Sequence, residues 1–478
     1  MPKRSEPEGG GTEDARGTPR RLPWALVPLR RRAFGTLVGG YALAGLGTGM
    51  AAVAISWLAI SIAHGHDTAL VIGGAVAAYS LPGVVAWLAF GKYFSRWDGR
   101  KLVLAEAILR AASLGTIAAL AWSGMLDPAL YITLLGVSSL FGLLGVAGDL
   151  AAVVELLPAD EHLAGNALVT MAGFGASIVG PALAGGLIAL AGAPSAIAAD
   201  AATFMLLGVA AAASRRFQPP PAEPPAAGIG VLTTLRSLVR LPSVLGITAL
   251  CVVYFGIYGP VEVALPVDVT SYLHAGAGVL GGLWTLFAIG ATVGALGASA
   301  VERFGVWRVI VVSVIGWGLC MVPLGLVAST TIGFVALAAG GLCYGPFLPL
   351  KQAIIQRDTP AGSLTAVAAA SAMFTVPASP IGTAVGGPLV AAVGARTTLL
   401  GSGVLTVALA VVVGAALALR RFRSGRPPGP GVRRTAERAR GSRHVEASPR
   451  APAAARTPEV PHTAPGLPPS MKQTAADM

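Results

Sequence analysis

The chain has 478 residues, of which 54% are hydrophobic and 12% charged, with a mean hydropathy of +0.71 and a formal charge of +12 from 34 basic and 22 acidic residues. Soluble domains carry about 25% charged residues, so too little polar surface is left to clothe a soluble globule of this length. In a soluble protein such a basic excess would point to nucleic acid. Here it reads as basic residues gathered in loops on one membrane face, and no nucleic-acid partner is expected.

Residues 1–33 are polar and rich in Pro and Arg, and the apolar run after them continues as a full span, so no cleavable leader is expected. An α-helix needs about 20 apolar residues to cross a hydrocarbon core at ~1.5 Å per residue. Such stretches fall at 34–63, 69–91, 102–123, 129–152, 163–191 and 195–213, then at 244–266, 278–300, 307–328, 331–353, 362–393 and 397–419. The breaks between them carry turn chemistry, as at His64-Gly65-His66-Asp67, Trp97-Asp98-Gly99, Asp127-Pro128 and Ala193-Pro194. The expected fold class is an all-α integral membrane protein of twelve transmembrane helices.

The longest internal break, 214–243, holds Arg215-Arg216, a Pro-rich run from Pro219 to Pro225 and an amphipathic segment from Val231 to Arg240. It separates a six-helix half at 34–213 from a second at 244–419, the two-repeat construction usual in secondary transporters. One set of loops carries Arg20, Arg21, Arg30 to Arg32, Lys92, Arg96, Arg100, Lys101, Arg215, Arg216, Arg236, Arg240, Arg303, Arg308, Arg357 and the Arg420-Arg421-Phe422-Arg423 run, whereas the opposite set holds only Arg396. By the positive-inside rule both termini, 1–33 and the basic tail 420–478, are expected in the cytoplasm of a cell-membrane protein. The tail is rich in Pro, Arg, Ala and Ser and reads as disordered; its arginines either touch anionic lipid or are merely solvated. Cys251, Cys320 and Cys343 are widely spaced inside apolar stretches and read as small packing residues.

Two motifs stand out. After the second span comes Gly91-Lys92-Tyr93-Phe94-Ser95-Arg96-Trp97-Asp98-Gly99-Arg100-Lys101, echoed in the second half by Val301-Glu302-Arg303-Phe304-Gly305-Val306-Trp307-Arg308, with an acid and an arginine side by side. Gly91 is expected to let two helices approach closely, and the basic side chains to bond helix C-terminal carbonyls. The fifth span contains Gly175-Ala176-Ser177-Ile178-Val179-Gly180-Pro181-Ala182-Leu183-Ala184-Gly185-Gly186, where Gly180-Pro181 predicts a kink and Gly185-Gly186 a smooth packing face; Gly382 to Pro388 echo it in the eleventh.

These motifs resemble those of the major facilitator superfamily. Leu163-Ala164-Gly165-Asn166-Ala167-Leu168, Asp200-Ala201-Ala202-Thr203-Phe204 and Gly259-Pro260-Val261-Glu262-Val263-Ala264-Leu265-Pro266 resemble spans five, six and seven of its drug-, macrolide- and siderophore-exporting members. The resemblance covers about 34–419 and implies the major facilitator fold. It also implies that the first loop is a latch made and broken as the halves rock, and that the fifth-span motif is that of antiporters. Ser95 stands where the family usually has an Asp, while Asp98 is retained. Span one, where exporters often carry an acid, has Thr48 in that place.

A charge within a membrane span costs ~2.5–3.5 kcal/mol on insertion, so each asks for a partner or a function. Glu106 and Arg110 lie four apart with the acid first, the favourable order for an ion pair. They read either as a self-satisfied pair or as a switch that pairs differently in two states. Asp149, near the cytoplasmic end of span four, reads as an interfacial or a coupling carboxylate, and Asp200 as a capping or packing one. Glu262, about 6 Å inside the outer end of span seven at 1.5 Å per residue and flanked by Pro260 and Pro266, is the first candidate for a proton carrier. The alternative is a carboxylate satisfied by interfacial water. Trp57, Tyr254, Tyr258 and Tyr344 are candidate cavity residues, since aromatics with a polar tip suit amphipathic substrates; Trp57 and Tyr344 also suit a lipid-interface belt. Lys351 is expected to snorkel to headgroups.

The function expected is secondary transport driven by the proton gradient without a cofactor: efflux of a small amphipathic compound by a functional monomer in the lipid bilayer, through alternating access. Proton-coupled uptake within the same superfamily is the alternative. No HExxH, P-loop or paired in-membrane Asp supports an enzyme, and a non-transporting receptor is more remote still.

Overall fold

A computed structural model describes residues 24–63, 68–94, 97–214, 238–360 and 363–423. Arg96, most of the 214–243 linker and the tail beyond 423 lie outside the described residues. The chain divides into a unit ending at Ala418 and a second beginning at Leu419, of which only the end of the last helix is described.

After a short 3-10 helix at Trp24–Arg30, seven helices form the first half: α1 (Arg32–Ile62), α2 (Thr68–Phe94), α3 (Gly99–Trp122), α4 (Pro128–Ser139), α5 (Gly142–Leu156), α6 (His162–Ala191) and α7 (Ala193–Ala213). The second half runs through α8 (Pro242–Ser271), α9 (Ala277–Leu296), α10 (Ala298–Glu302), α11 (Val306–Leu326), α12 (Thr330–Tyr344), α13 (Phe347–Asp358), α14 (Leu364–Thr375), α15 (Ala378–Val393) and α16 (Ala395–Arg423). No strand occurs among the described residues. Among the described residues eleven helical stretches, α12–α13 and α14–α15 each taken as one, are long and apolar enough to cross a membrane. Large side chains such as Leu163, Leu190, Leu296 and Val312 are mostly exposed, which suits hydrocarbon and not water.

The fourth expected span falls short of that length because it is broken at Leu140-Phe141 into α4 and α5. The Ser138 and Ser139 hydroxyls bond back to Leu135 O and Gly136 O, a competition with the helix ladder that bends it, and Ser139 also reaches Ala78 O of α2. The expected spans 331–353 and 362–393 are broken at Gly345-Pro346 and Val376-Pro377, where proline lacks the amide that would continue the helix. The starts and turns follow their local chemistry. Asp127 caps α4 by accepting from the amides of Ala129 and Leu130, with Pro128 at the first position. The tight α6–α7 and α15–α16 corners turn on Gly192 and Gly394, at φ +81° and +84°, which favours a residue without Cβ.

In the first half α1 packs on α6 and α7, α2 on α4 and α3 on α7; in the second α8 packs on α15 and α9 on α12. The Tyr131 hydroxyl, fully buried, donates to Ile55 O and ties α4 to α1. The halves meet where α6 lies on α9 and α2 on α15. These contacts run backbone to backbone: a Cβ on Gly185 would lie 2.9 Å from Ala277 O, one on Gly73 would lie 2.7 Å from the Cα of Gly387, and one on Gly281 would strike Pro181 O. All of them sit toward the end that carries the connections 62–68, 191–193, 271–277 and 393–395.

Candidate functional site

Helices α1 to α7 surround a cavity of about 590 Å³, closed on one side by Val376 and Pro380 from the α14–α15 junction. Its wall is mostly apolar, with Phe174, Phe204 and Leu207, and is interrupted by Tyr41, Thr48, Tyr79, Glu106, Arg110 and Asp149. That size holds a small organic molecule.

Arg110 is the organising side chain. Its Nε lies 3.3 Å from Glu106 Oε1, and both side chains are about nine-tenths buried. Its Nη1 donates to the Tyr79 hydroxyl at 2.8 Å. The guanidinium is held between two rings, 5.0 Å from the centroid of Tyr79 and 4.8 Å from that of Phe204, a desolvated cation–π sandwich. Room for the pair comes from α5: a Cβ on Gly145 would strike the Glu106 carboxylate, and one on Gly142 would lie 2.8 Å from Arg110 Nη2. Asp149, a turn farther along α5, lines the same cavity, as does Tyr41 of α1, whose hydroxyl faces the Asp149 carboxylate.

Asp200 faces the same cation from outside the cavity. It is completely buried on α7 beside Thr203, its carboxylate is drawn to the Arg110 guanidinium, and it packs against Gly47 of α1, where any Cβ would strike it. It does not line the cavity, although Phe204, four residues on, does.

Glu262 lines neither of the two main cavities. It lies at the α8–α15 contact, where the Thr383 hydroxyl donates to Glu262 Oε2 at 2.8 Å. Of the aromatic candidates, Tyr254, Tyr258 and Tyr344 come together with Phe255, Phe287 and Trp317 around a second pocket of about 90 Å³. Trp57 lines neither cavity and packs, partly buried, on the core. Lys351 does not extend away from the protein as expected: its ammonium reaches the Thr375 hydroxyl at 3.4 Å. The three cysteines are free thiols. Among the described residues no group of His, Cys, Asp and Glu is placed to hold a metal ion.

In the first loop, Arg100 donates from Nε to Ala211 O and from Nη2 to Ala212 O, capping the C-terminal carbonyls of α7. Asp98 pairs with Lys101 at 3.2 Å. Glu155 Oε1 accepts from the amide of Gly99. Nearby, Arg31 forms a two-pronged pair with Glu161 at 3.0 and 3.1 Å, and that hydrogen bonding raises the Arg31 pKa. Gly91 makes no close helix approach, since a Cβ there would meet only Trp87 of its own helix. In the echoed loop, Glu302 and Arg303 form no ion pair; Arg303 lies over the Phe304 ring at 4.8 Å. Gly180 packs directly on Gly49 of α1, with a Cβ 2.6 Å from its backbone, and Gly185 on α9. Gly175 and Gly186 face open space. Gly259 of α8 meets Gly382 of α15 as Gly49 meets Gly180.

Sequence reading missed Tyr79, Phe204, Glu155 and the role of Gly142 and Gly145. The glycines carried a usable signal, Gly142, Gly145 and Gly148 at a spacing of three on the helix after the charged one, which marks a face where large side chains from elsewhere fit.

A bundle of spanning helices in two packed halves around a part-charged internal cavity defines a multi-pass membrane transporter of small molecules. The family model of the transmembrane secretion effectors matches residues 23–424, and the chain belongs to that family of the major facilitator superfamily. It is 26% identical over 382 residues to the multidrug efflux pump Tap of Mycolicibacterium fortuitum, covering 77% of this chain and 92% of that protein. It is 28% identical over 395 residues to Tap of Mycobacterium tuberculosis (strain ATCC 25618 / H37Rv), covering 79% and 90%. Among solved structures the nucleoside transporter NupG superposes with a TM-score of 0.63 at 12% identity, covering 80% of this chain and 98% of that one. A bacterial homologue of the human lysosomal transporter Spinster, inward-facing and unoccupied, superposes at 0.61 and 10% identity, covering 86% and 100%. At such identities these structures speak for the fold alone.

Proposed function

We propose that the protein is a proton-coupled exporter of a small amphipathic compound, working as a monomer by rocking 34–213 against 244–419, with both termini cytoplasmic. The observation that carries the reading is the Glu106–Arg110 pair set with Asp149 in the wall of a mostly apolar cavity. The similarity to the Tap efflux pumps favours export over uptake. Coupling is assigned to Glu106 and Asp149 ahead of Glu262, because those two share a cavity with the one buried cation described there, whereas Glu262 is held by Thr383 at a helix contact.

A proton arriving on Glu106 neutralises it and releases Arg110 from its partner. The guanidinium, guided between Tyr79 and Phe204, is then free to meet Asp149 or a substrate. Two charge arrangements of one cavity give the two states that alternating access requires, and substrate and proton bias the same equilibrium.

A toxicity panel in an efflux-deficient host, with and without a protonophore, supplies a substrate. Inside-out vesicles under an imposed pH gradient then separate export from uptake. Glu106→Gln and Asp149→Asn are each expected to lower proton-driven accumulation at least tenfold while substrate binding persists. Wild-type accumulation in both variants refutes the assignment.

A further inference from the structure

The second pocket is built from rings alone. Tyr254, Phe255 and Tyr258 of α8, Phe287 of α9, Trp317 of α11 and Tyr344 at the end of α12 enclose about 90 Å³. Ring centroids stand 5.8 Å apart for Tyr258 and Trp317, 6.4 Å for Trp317 and Tyr344, and 6.4 Å for Tyr254 and Tyr344. Tyr254 and Trp317 are almost fully buried. None of the three tyrosine hydroxyls makes a hydrogen bond to a described residue, so their oxygens are unspent acceptors. No basic side chain lines the pocket. Glu262 follows Tyr258 by four residues and so stands one turn farther along the same face of α8.

From this geometry we infer that the aromatic pocket is a subsite for an organic onium group, a quaternary ammonium or similar head on the transported molecule, with Glu262 supplying the opposite charge. The inference rests on the reading of the chain as a transporter and names a substrate class for it. Electron-rich ring faces attract a cation lying within about 6 Å of their centroids, most strongly where water is excluded. The pocket has the volume of about three water molecules at ~30 Å³ each. A trimethylammonium head fills that space; a whole drug-sized molecule does not, and its remainder extends beyond the rings. The site sits mid-bilayer: Tyr254 and Tyr258 lie 12 and 16 residues into the 30-residue α8, about 18 and 24 Å from its start at 1.5 Å per residue. A lipid headgroup cannot reach that depth, so the onium belongs to a free solute.

Choline and 3,3-dimethylbutan-1-ol have the same shape and differ in charge, which makes them a direct probe. Full-length protein in nanodiscs of phosphatidylglycerol, which contain no choline lipid, is titrated with radiolabelled choline without any gradient. Saturable binding is expected, with the neutral alcohol at least tenfold weaker as a competitor. Tyr258→Phe keeps the ring and is expected to stay within threefold of the unsubstituted protein. Tyr258→Leu and Tyr344→Leu each weaken choline about thirtyfold, or ~2 kcal/mol at ~1.4 kcal/mol per decade. Glu262→Gln weakens it without altering the rings. Equal competition by the alcohol, no saturable choline binding, or full affinity in the leucine variants overturns the inference. The first two outcomes use the unsubstituted protein, so they hold even if a variant misfolds. Because binding is read without a gradient, failure of proton-driven export leaves this result standing, and the reverse holds too.

Discussion

At the scale of single residues, the central object is a guanidinium that has left water. Removing one partner of a buried pair leaves an uncompensated charge, at a cost of about 3–5 kcal/mol. Arg110→Gln is therefore expected to lower the thermal midpoint of the purified protein in detergent markedly, because Glu106 then stays buried without its cation. Adding Glu106→Gln to Arg110→Gln is expected to recover part of that loss, the buried Asp200 carboxylate still lacking the cation, and a thermal-shift double-mutant cycle measures the coupling. Additive losses would show that the two side chains do not act as a pair. The pair itself was legible in the sequence, because a spacing of four on one helix fixes which side chains meet. Its surroundings were not. Tyr79 and Phe204 come from helices 31 and 94 residues away, and their arrival depends on how each helix is rotated about its axis. The same reason explains Glu262: its depth in the membrane is readable from the chain, but whether it faces a cavity or the α15 helix is not.

At the scale of helices, glycine spacing indicated close packing without saying which glycine does it. Gly180 lies against the backbone of α1 and Gly186 against nothing, although both belong to one motif. Gly180→Ala is accordingly expected to cost about 1–3 kcal/mol, the usual range for overpacking, and Gly186→Ala to be neutral or slightly stabilising, as thermal melts of the two variants will show. Of the loop arginines, Arg100 behaves as helix-end chemistry predicts, whereas Arg303 lies over the Phe304 ring. Arg100 satisfies two carbonyls at the end of α7, so Arg100→Ala is expected to cost about 1.5–3 kcal/mol and to raise hydrogen exchange in the last turn of α7 before it does so elsewhere. The helices themselves were readable from apolar length. The breaks at Gly345-Pro346 and Val376-Pro377 were missed although proline marks both, whereas the break at Leu140-Phe141 depends on serine hydroxyls whose choice of partner emerges only in the packed bundle.

At the scale of the whole molecule, the two halves touch along α6–α9 and α2–α15, at the end away from Arg100 and the Arg31–Glu161 pair. A leucine at Gly185 cannot coexist with Ala277 so close, so Gly185→Leu is expected to disfavour the state described here. Cysteines placed in the cavity should then be labelled less from the arginine-rich side and more from the other, with wild-type labelling as the contrary result.

The seam between the halves has a further consequence. Gly73 on Gly387 and Gly185 on Ala277 press main chain against main chain, the side chains around them are small or aliphatic, such as Ala69, Ala184 and Val390, and no ion pair among the described residues crosses the joint. Such a joint parts without an ion pair having to be rehydrated. Its strength lies in short-range dispersion, which vanishes within an ångström or two of separation. The opening step at that end should therefore be abrupt and nearly blind to ionic strength. The Arg31–Glu161 pair at the opposite end, in contact with water, ties α1 to α6 within the first half, so dissolved salt acts there on the packing of that half and not on the joint.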